Sequence, residues 1–416
     1  MPGENDALLA GVRVVESSML GPAELGGLLA DLGADVIKVE PPHGDYGRQM
    51  TWPIIRFSSG DGDASLLSLH VNRGKRSIAI DLRKPEGAQI YLDLVKDADV
   101  VIEAMRPGAL AKRGLSYERL RELNPRIVFC SISGYGATGP YKDMPSHGIA
   151  YDTWAGQVPV VHDEQGFTHM PEHTSVGIHA GPLYGALTIL AGVIRARATG
   201  EGCYLDVAQS DSAAYFDWYR IESWRAYERP DDEVYGNKSD DYERRAPGTA
   251  GMKEGVRYQL YASADGHVLF MASEQAFWKN FAEGVGRPDL FERWPGSTFA
   301  DHARNNKELQ AILTEIFRSK TSEEWIAFGN EHNTPIAPVN TPRTIAHDPQ
   351  FQHRLPWIPQ ERLEADMLPL PVKVTDASLP VPERAPDVGQ HTDEVLRGAA
   401  YDDDRIKELR STGVVF

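Results

Sequence analysis

Five short apolar runs, each separated from the next by a polar or helix-like segment, constrain this chain's fold more than anything else in its sequence. Val12-Arg13-Val14-Val15-Glu16 reads as the first strand, and Pro22 to Leu32 behind it places apolar side chains at helical spacing. Gly33 stands where a helix ends on a left-handed residue. Asp35 to Glu40 is the next strand, stopped by Pro41-Pro42. Ser77 to Asp81 and Asp99 to Glu103 repeat the pattern on either side of a helix over Lys84 to Lys96, and a helix from Ser116 to Leu123 leads to a strand over Arg126 to Ile132. Strands this short and this apolar have no solvated face, so both faces must be covered. The expectation is an α/β fold, with a parallel sheet and helices on both sides.

Gly181 to Arg197 reads as a buried helix and Tyr204 to Val207 as a further strand. Residues 225–255 are polar and charged and lead into a second region. There, Val256 to Ser273 predicts a hairpin around Ser263-Ala264-Asp265-Gly266, and helices are expected over 275–285, 305–318 and 321–331. After Ile336 the chain is punctuated by prolines, and the last strong helical pattern lies at 392–399. The expected division is a large domain begun by 1–224, a smaller α+β domain over 225–335, and a segment 336–416 that returns to the large domain or reaches a partner subunit.

Composition bounds the function. A formal charge of −17 over 416 residues argues against nucleic acid as a partner, yet a local basic cluster still suits an anionic ligand. No basic leader precedes an apolar stretch and no apolar run approaches about 18 residues, so the expectation is cytoplasmic, with no membrane partner. Two cysteines, Cys130 and Cys203, are too few for a disulfide framework. Neither GxGxxG nor GxxxxGK[ST] occurs, which speaks against NAD or ATP, and without HExxH or CxxC no metal is expected. His169, His173 and His179 are poorly spaced for one helix face. No GxSxG elbow is present for a serine hydrolase. What remains is cationic: Asn72-Arg73-Gly74-Lys75-Arg76 before one strand, Arg106 after another, and Arg48, a plausible grip for a polyphosphate.

Gly11 to Glu16, Leu29 to Pro42, Gly44-Asp45-Tyr46-Gly47-Arg48, Asn72 to Ser77, Arg106-Pro107-Gly108, Ser133-Gly134-Tyr135-Gly136, Gly139-Pro140-Tyr141, Arg195 with Thr199 to Gly202, Ala337 to Thr341, and Gly389 to Leu396 together resemble the class III CoA-transferases, a group that includes the alpha-methylacyl-CoA racemases. The resemblance implies a Rossmann-like large domain, a smaller domain, and an interlocked homodimer. It also implies coenzyme A as ligand, its phosphates held by Arg73, Lys75, Arg76 and Arg106, with Arg48 as a further contact and Met19-Leu20-Gly21-Pro22 approaching the CoA chain. The implied reaction moves CoA between an acyl-CoA and a small carboxylic acid through an aspartate nucleophile.

The chain departs from that pattern where the chemistry sits. The family's aspartate matches Gly177, leaving Glu172 as the substitute carboxylate if the covalent route survives. Pro145 to Tyr151 resembles the racemase segment and gives His147 as acid or base, with Glu274 matching a further glutamate. His179 lies two residues beyond the empty position, and Asp152 follows Tyr151. Three readings stand at this point: a CoA-transferase, an isomerase or lyase acting by α-proton exchange, and a CoA-binding protein without a reaction.

Overall fold

The computed structural model describes residues 6–237, 242–297 and 301–416; four residues of the polar 225–255 segment, 238–241, lie outside them. The chain forms two compact units, residues 1–217 with 352–416, and residues 218–351.

In the first unit, six strands make one sheet: β1 (Arg13–Ser18), β2 (Asp35–Glu40), β3 (Arg76–Ala79), β4 (Val100–Ala104), β5 (Val128–Ser133) and β6 (Cys203–Ala208). Every neighbouring pair is parallel, and the spatial order is β6-β5-β4-β1-β2-β3. The order therefore reverses beside β1, between two crossovers of opposite direction, where such sheets open a crevice at their carboxyl edge.

Successive side chains of a strand point to opposite faces, and the covering helices follow from that. Val14, Val36, Val100, Ile102 and Cys130 pack under α1 (Glu24–Asp31) through Leu25 and Leu29. On the other face, Val15, Val39, Ile78, Val101 and Phe129 meet α2 (Pro85–Lys96) and α3 (Tyr117–Leu123). Beyond β5 lie α4 (Ile149–Trp154) and α5 (Gly177–Thr199), with α6 (Gln209–Phe216) after β6. Helix α5 joins α1 on the first face through Ala186, Ile189, Val193 and Ala196. It is longer than the apolar run of the sequence: its 23 residues would suffice to cross a membrane by length and composition, yet half of that window is buried inside the protein.

The second unit has a three-stranded antiparallel sheet of β7 (Tyr258–Ala262), β8 (His267–Met271) and β9 (Ile336–Pro338). Around it stand α7 (Gln275–Gly284), α8 (Lys307–Phe317) and α9 (Ser322–Glu331), with Trp278, Phe281, Phe317 and Trp325 fully buried between them. The C-terminal segment rejoins the first unit. It adds α10 (Thr392–Gly398) and then α11 (Asp403–Ser411), a second helix beyond the pattern expected to be the last. Asp402 caps α11, and Ile406 and Leu409 bury its inner face, too few apolar residues for its periodicity to stand out. Ile80 pairs with Val415, and Phe416 N–H donates to Ala79 at 3.1 Å.

Candidate active site

The carboxyl ends of the sheet strands open into two neighbouring cavities. The first, about 410 Å³, lies over β1, β2 and β3 and is lined by Ser18, Pro41, Pro42, His43, Ile80, Leu82, Arg83 and Arg113 among others. The second, about 340 Å³, lies over β4 and β5 and the start of α6. Arg106, Ser133, Tyr135, Lys142, Asp143, His147, Tyr151, Ile178 and Gln209 line it. Met19 and Met105 border both. A chain leaving one cavity for the other would pass between two flexible apolar side chains.

The turn Met19-Leu20-Gly21-Pro22 forms one wall of the second cavity. Leu20 has φ 55 and ψ −145, a region that a side chain strongly disfavours. Its N–H donates to Asp45 Oδ2 at 3.1 Å, and the same carboxylate accepts from Gly47 N–H at 2.8 Å and from Lys38 Nζ at 2.9 Å. Burial pushes the Asp45 carboxyl up, but Lys38 and these N–H groups outweigh it and hold it below the ordinary carboxylate range. A buried ion pair thus fixes the strained wall.

Two of the sequence candidates meet in the second cavity. Among the described residues, the Arg106 guanidinium and the His147 ring make no hydrogen bond or ion pair, so both are available to a ligand. The other four cations sit inside the frame. Arg48 forks onto Glu40 at 2.8 and 3.0 Å and reaches Pro386 O at 2.9 Å. Arg73 is bidentate to Asp31 at 2.6 and 3.1 Å and donates to Leu368 O. Lys75 is fully enclosed, bonded to Glu16 at 2.6 Å and Ala23 O at 2.7 Å, and desolvation lowers it to about 8 against the pull of Glu16. Arg76 clamps Asp35 at 2.6 Å, at the amino end of β3 and away from the cavities.

The carboxylates are placed as follows. Gly177 opens α5, and a Cβ built there would stand 2.7 Å from Tyr151 Cβ and 3.2 Å from Asp152 Oδ1. Asp152 is 0% exposed, and its carboxylate accepts from Gly177 N–H at 2.6 Å and Val176 N–H at 3.1 Å, satisfying the first turn of α5. Glu172 is exposed and does not line either cavity. His179 points away from the second cavity to Glu24, 2.6 Å from its Nδ1, and that bond raises its pKa. Glu274, in the second unit, is exposed; its backbone caps α7 and its side chain does not. Asp143 is the carboxylate that does line the second cavity.

Sequence reasoning passed over Arg83, Arg113, Lys142, Ser133 and Gln209. The signal for Ser133 and Gln209 was present, since the first ends a strand and the second directly follows one at the edge where ligands bind, whereas Arg83 stands four residues beyond the end of β3. Lys142 and Arg113 had no such marker. Among the described residues, no group of three or more His, Cys, Asp and Glu side chains is placed to hold a metal ion.

This crevice has the form of a site for a long anionic ligand, and comparison with known proteins gives it a family. The chain belongs to CoA-transferase family III, whose model matches residues 9–392. It is 29% identical over 414 residues to a human succinyl-CoA:glutarate CoA-transferase, covering 98% of this chain and 90% of that one. It is 26% identical to human alpha-methylacyl-CoA racemase over 416 residues, covering 98% and 97%. The structure of a CaiB/BaiF family protein from Brucella suis superposes with a TM-score of 0.77 at 28% identity, over 95% of this chain and 100% of that one.

Proposed function

We propose that this chain is an enzyme that transfers coenzyme A between an acyl-CoA and a carboxylic acid. The observation that carries the reading is the pair of cavities, both bordered by Met19 and Met105, on the carboxyl edge of the parallel sheet. The nucleotide end of CoA fits the first, where Arg113 meets its phosphates and Arg83, held by Asp81 at 2.8 and 2.9 Å, stands beside it. The thioester then lies in the second, beside His147, Arg106 and Lys142.

The step follows from what the second cavity offers. Gly177 supplies no carboxylate, Asp152 is enclosed and bonded to backbone N–H groups, and Glu172 and His179 lie outside the lining; Asp143, the carboxylate in the lining, is exposed and sits next to Lys142 in sequence. We take the acceptor acid, and not Asp143, as the nucleophile, its carboxylate held by Arg106 and Lys142. One carboxylate oxygen attacks the thioester carbon, the C–S bond breaks, and a mixed anhydride and CoA thiolate form. The thiolate then attacks the other carbonyl of the anhydride, giving the new thioester and releasing the donor acid. No proton changes hands overall. The relatives named as dicarboxylate CoA-transferases support this reading, and two cations in one cavity suit an acid with a second carboxylate.

A second reading, α-proton exchange, has one observation in its favour: the unbonded His147 ring in the cavity wall. One experiment separates them. Acyl-CoA is incubated with a panel of mono- and dicarboxylic acids in heavy water, and the thioesters are weighed by mass spectrometry. Transfer yields thioesters of the added acids without deuterium. Deuterium in the original thioester, with no new one, supports exchange, and neither change would sink both.

We also propose that the protein is cytoplasmic and works as a homodimer. Leu183, Leu187 and Ile194 of α5 and Tyr215 and Phe216 of α6 are more than half exposed, an apolar face of the kind a second copy covers. Light scattering that reports a single-chain mass at micromolar concentration would overturn the dimer.

A further inference from the structure

Part of the second cavity's wall is a side chain of α5. Ile178 lines the cavity half-buried, and its tip seats between two glycines of separate elements. A Cβ built on Gly21, in the turn after β1, would stand 2.4 Å from Ile178 Cδ1, and one built on Gly148, just before α4, would stand 3.4 Å from the same atom. Position 21 can approach so closely because it has no side chain, and a methyl there would displace the isoleucine. Ile178 brings neither charge nor a hydrogen bond to a cavity that already holds Arg106, Lys142 and His147, so what it contributes is volume.

The residues on either side of Ile178 are anchored to different helices. Before it, the Asp152 carboxylate of α4 accepts from Val176 N–H at 3.1 Å and from Gly177 N–H at 2.6 Å. After it, His179 Nδ1 meets Oε2 of Glu24, the first residue of α1, at 2.6 Å. A ring nitrogen facing a carboxylate carries the proton, so His179 is the donor. Asp152 is enclosed and belongs to the frame, whereas the His179 side chain is 60% exposed. An exposed pair of this kind contributes little to overall stability. Its effect is local: Glu24 lies two residues beyond Pro22, so the pair ties α5 to the turn that walls the cavity, with Ile178 between them.

We infer that Ile178 gauges the acyl end of the bound thioester, and that His179 is the positioning residue that holds this gauge in place through Glu24. An isoleucine seated between two glycines admits short acyl groups and stops longer ones. This inference rests on the placement of the thioester argued above, but its test does not need turnover.

The test is calorimetric binding of propionyl-CoA, hexanoyl-CoA and free CoA to the full-length protein. The wild type should bind propionyl-CoA more tightly than hexanoyl-CoA. Ile178→Ala should raise the hexanoyl-to-propionyl affinity ratio at least about tenfold, since each methylene that gains cover is worth about fourfold in binding. It should leave the affinity for free CoA unchanged, and Ile178→Val should move the ratio the same way by less, which keeps the test open if the alanine variant does not fold. His179→Ala should also raise the ratio. His179→Asn places an amide nitrogen where Nδ1 stood and should restore the wild-type ratio, as a merely structural defect would not. Glu24→Ala should match His179→Ala, and the double variant should add nothing to either. A wild type that favours hexanoyl-CoA, a ratio unmoved by both Ile178 variants, or His179→Asn behaving as His179→Ala would overturn the assignment. A ratio that shifts at position 178 without any CoA transfer would uphold it and remove the transferase reading, whereas transfer with a ratio indifferent to position 178 would do the reverse.

Discussion

At the scale of single residues, the charged side chains near the site divide by what surrounds them. Lys38 and Asp45 are both buried, and their pair holds Leu20 in a conformation it would otherwise leave. Asp45→Asn strips Lys38 of its counter-charge and should cost about 3–5 kcal/mol at neutral pH by chemical denaturation. Asp45 is held below its ordinary carboxylate value, so its contribution is present above that value and is lost as pH falls through the depressed one. The gap between wild type and variant should therefore close in acid below about pH 4. A gap below about 1 kcal/mol, or one unchanged with pH, would contradict the role given to the pair. The sequence showed Arg48, Arg73, Lys75 and Arg76 as a basic grip because it displays cations without their partners. Asp31 lies 42 positions before Arg73, and Glu16 lies 59 before Lys75. Only the fold brings them together.

Elements were legible where their signals are local. The strand Asp35–Glu40 and the helix starting after Ser116 stand where periodicity and capping place them, because both depend on neighbours in sequence. Helix α5 was read as beginning at Gly181, with Pro182 in its first turn, and it begins at Gly177. The extra turn is made possible by Asp152, 24 and 25 positions away from the N–H groups it accepts from, which no local pattern reveals. The same close approach explains why position 177 has no side chain. Gly177→Ala pushes a methyl against the Tyr151 Cβ on α4, and neither helix has a flexible tip there to yield. The expected cost is about 1–3 kcal/mol, the range for overpacking, with a matching loss of activity as Tyr151 moves in the cavity wall. A neutral or stabilising effect in thermal melting would show that the α4–α5 contact is looser than it stands.

At the scale of the whole molecule, the strand order does what the sequence could only suggest. Apolar runs foretold a parallel sheet, but not that β1 would lie between β2 and β4, which sets the crevice and both cavities. The net charge of −17 is likewise uninformative locally, since the ligand-facing edge carries Arg83, Arg106, Arg113 and Lys142 among only three carboxylates, Glu40, Asp81 and Asp143. The central proposal is that the acceptor acid itself attacks the thioester in this crevice, with neither the enclosed Asp152 nor the exposed Asp143 as nucleophile. A single-turnover reaction with an acid labelled by ¹⁸O in both carboxylate oxygens tests it most directly. Direct attack predicts that the donor acid released in that first turnover carries one ¹⁸O and the new thioester the other. Donor acid released without ¹⁸O, its new oxygen drawn from the protein or from water, would contradict it.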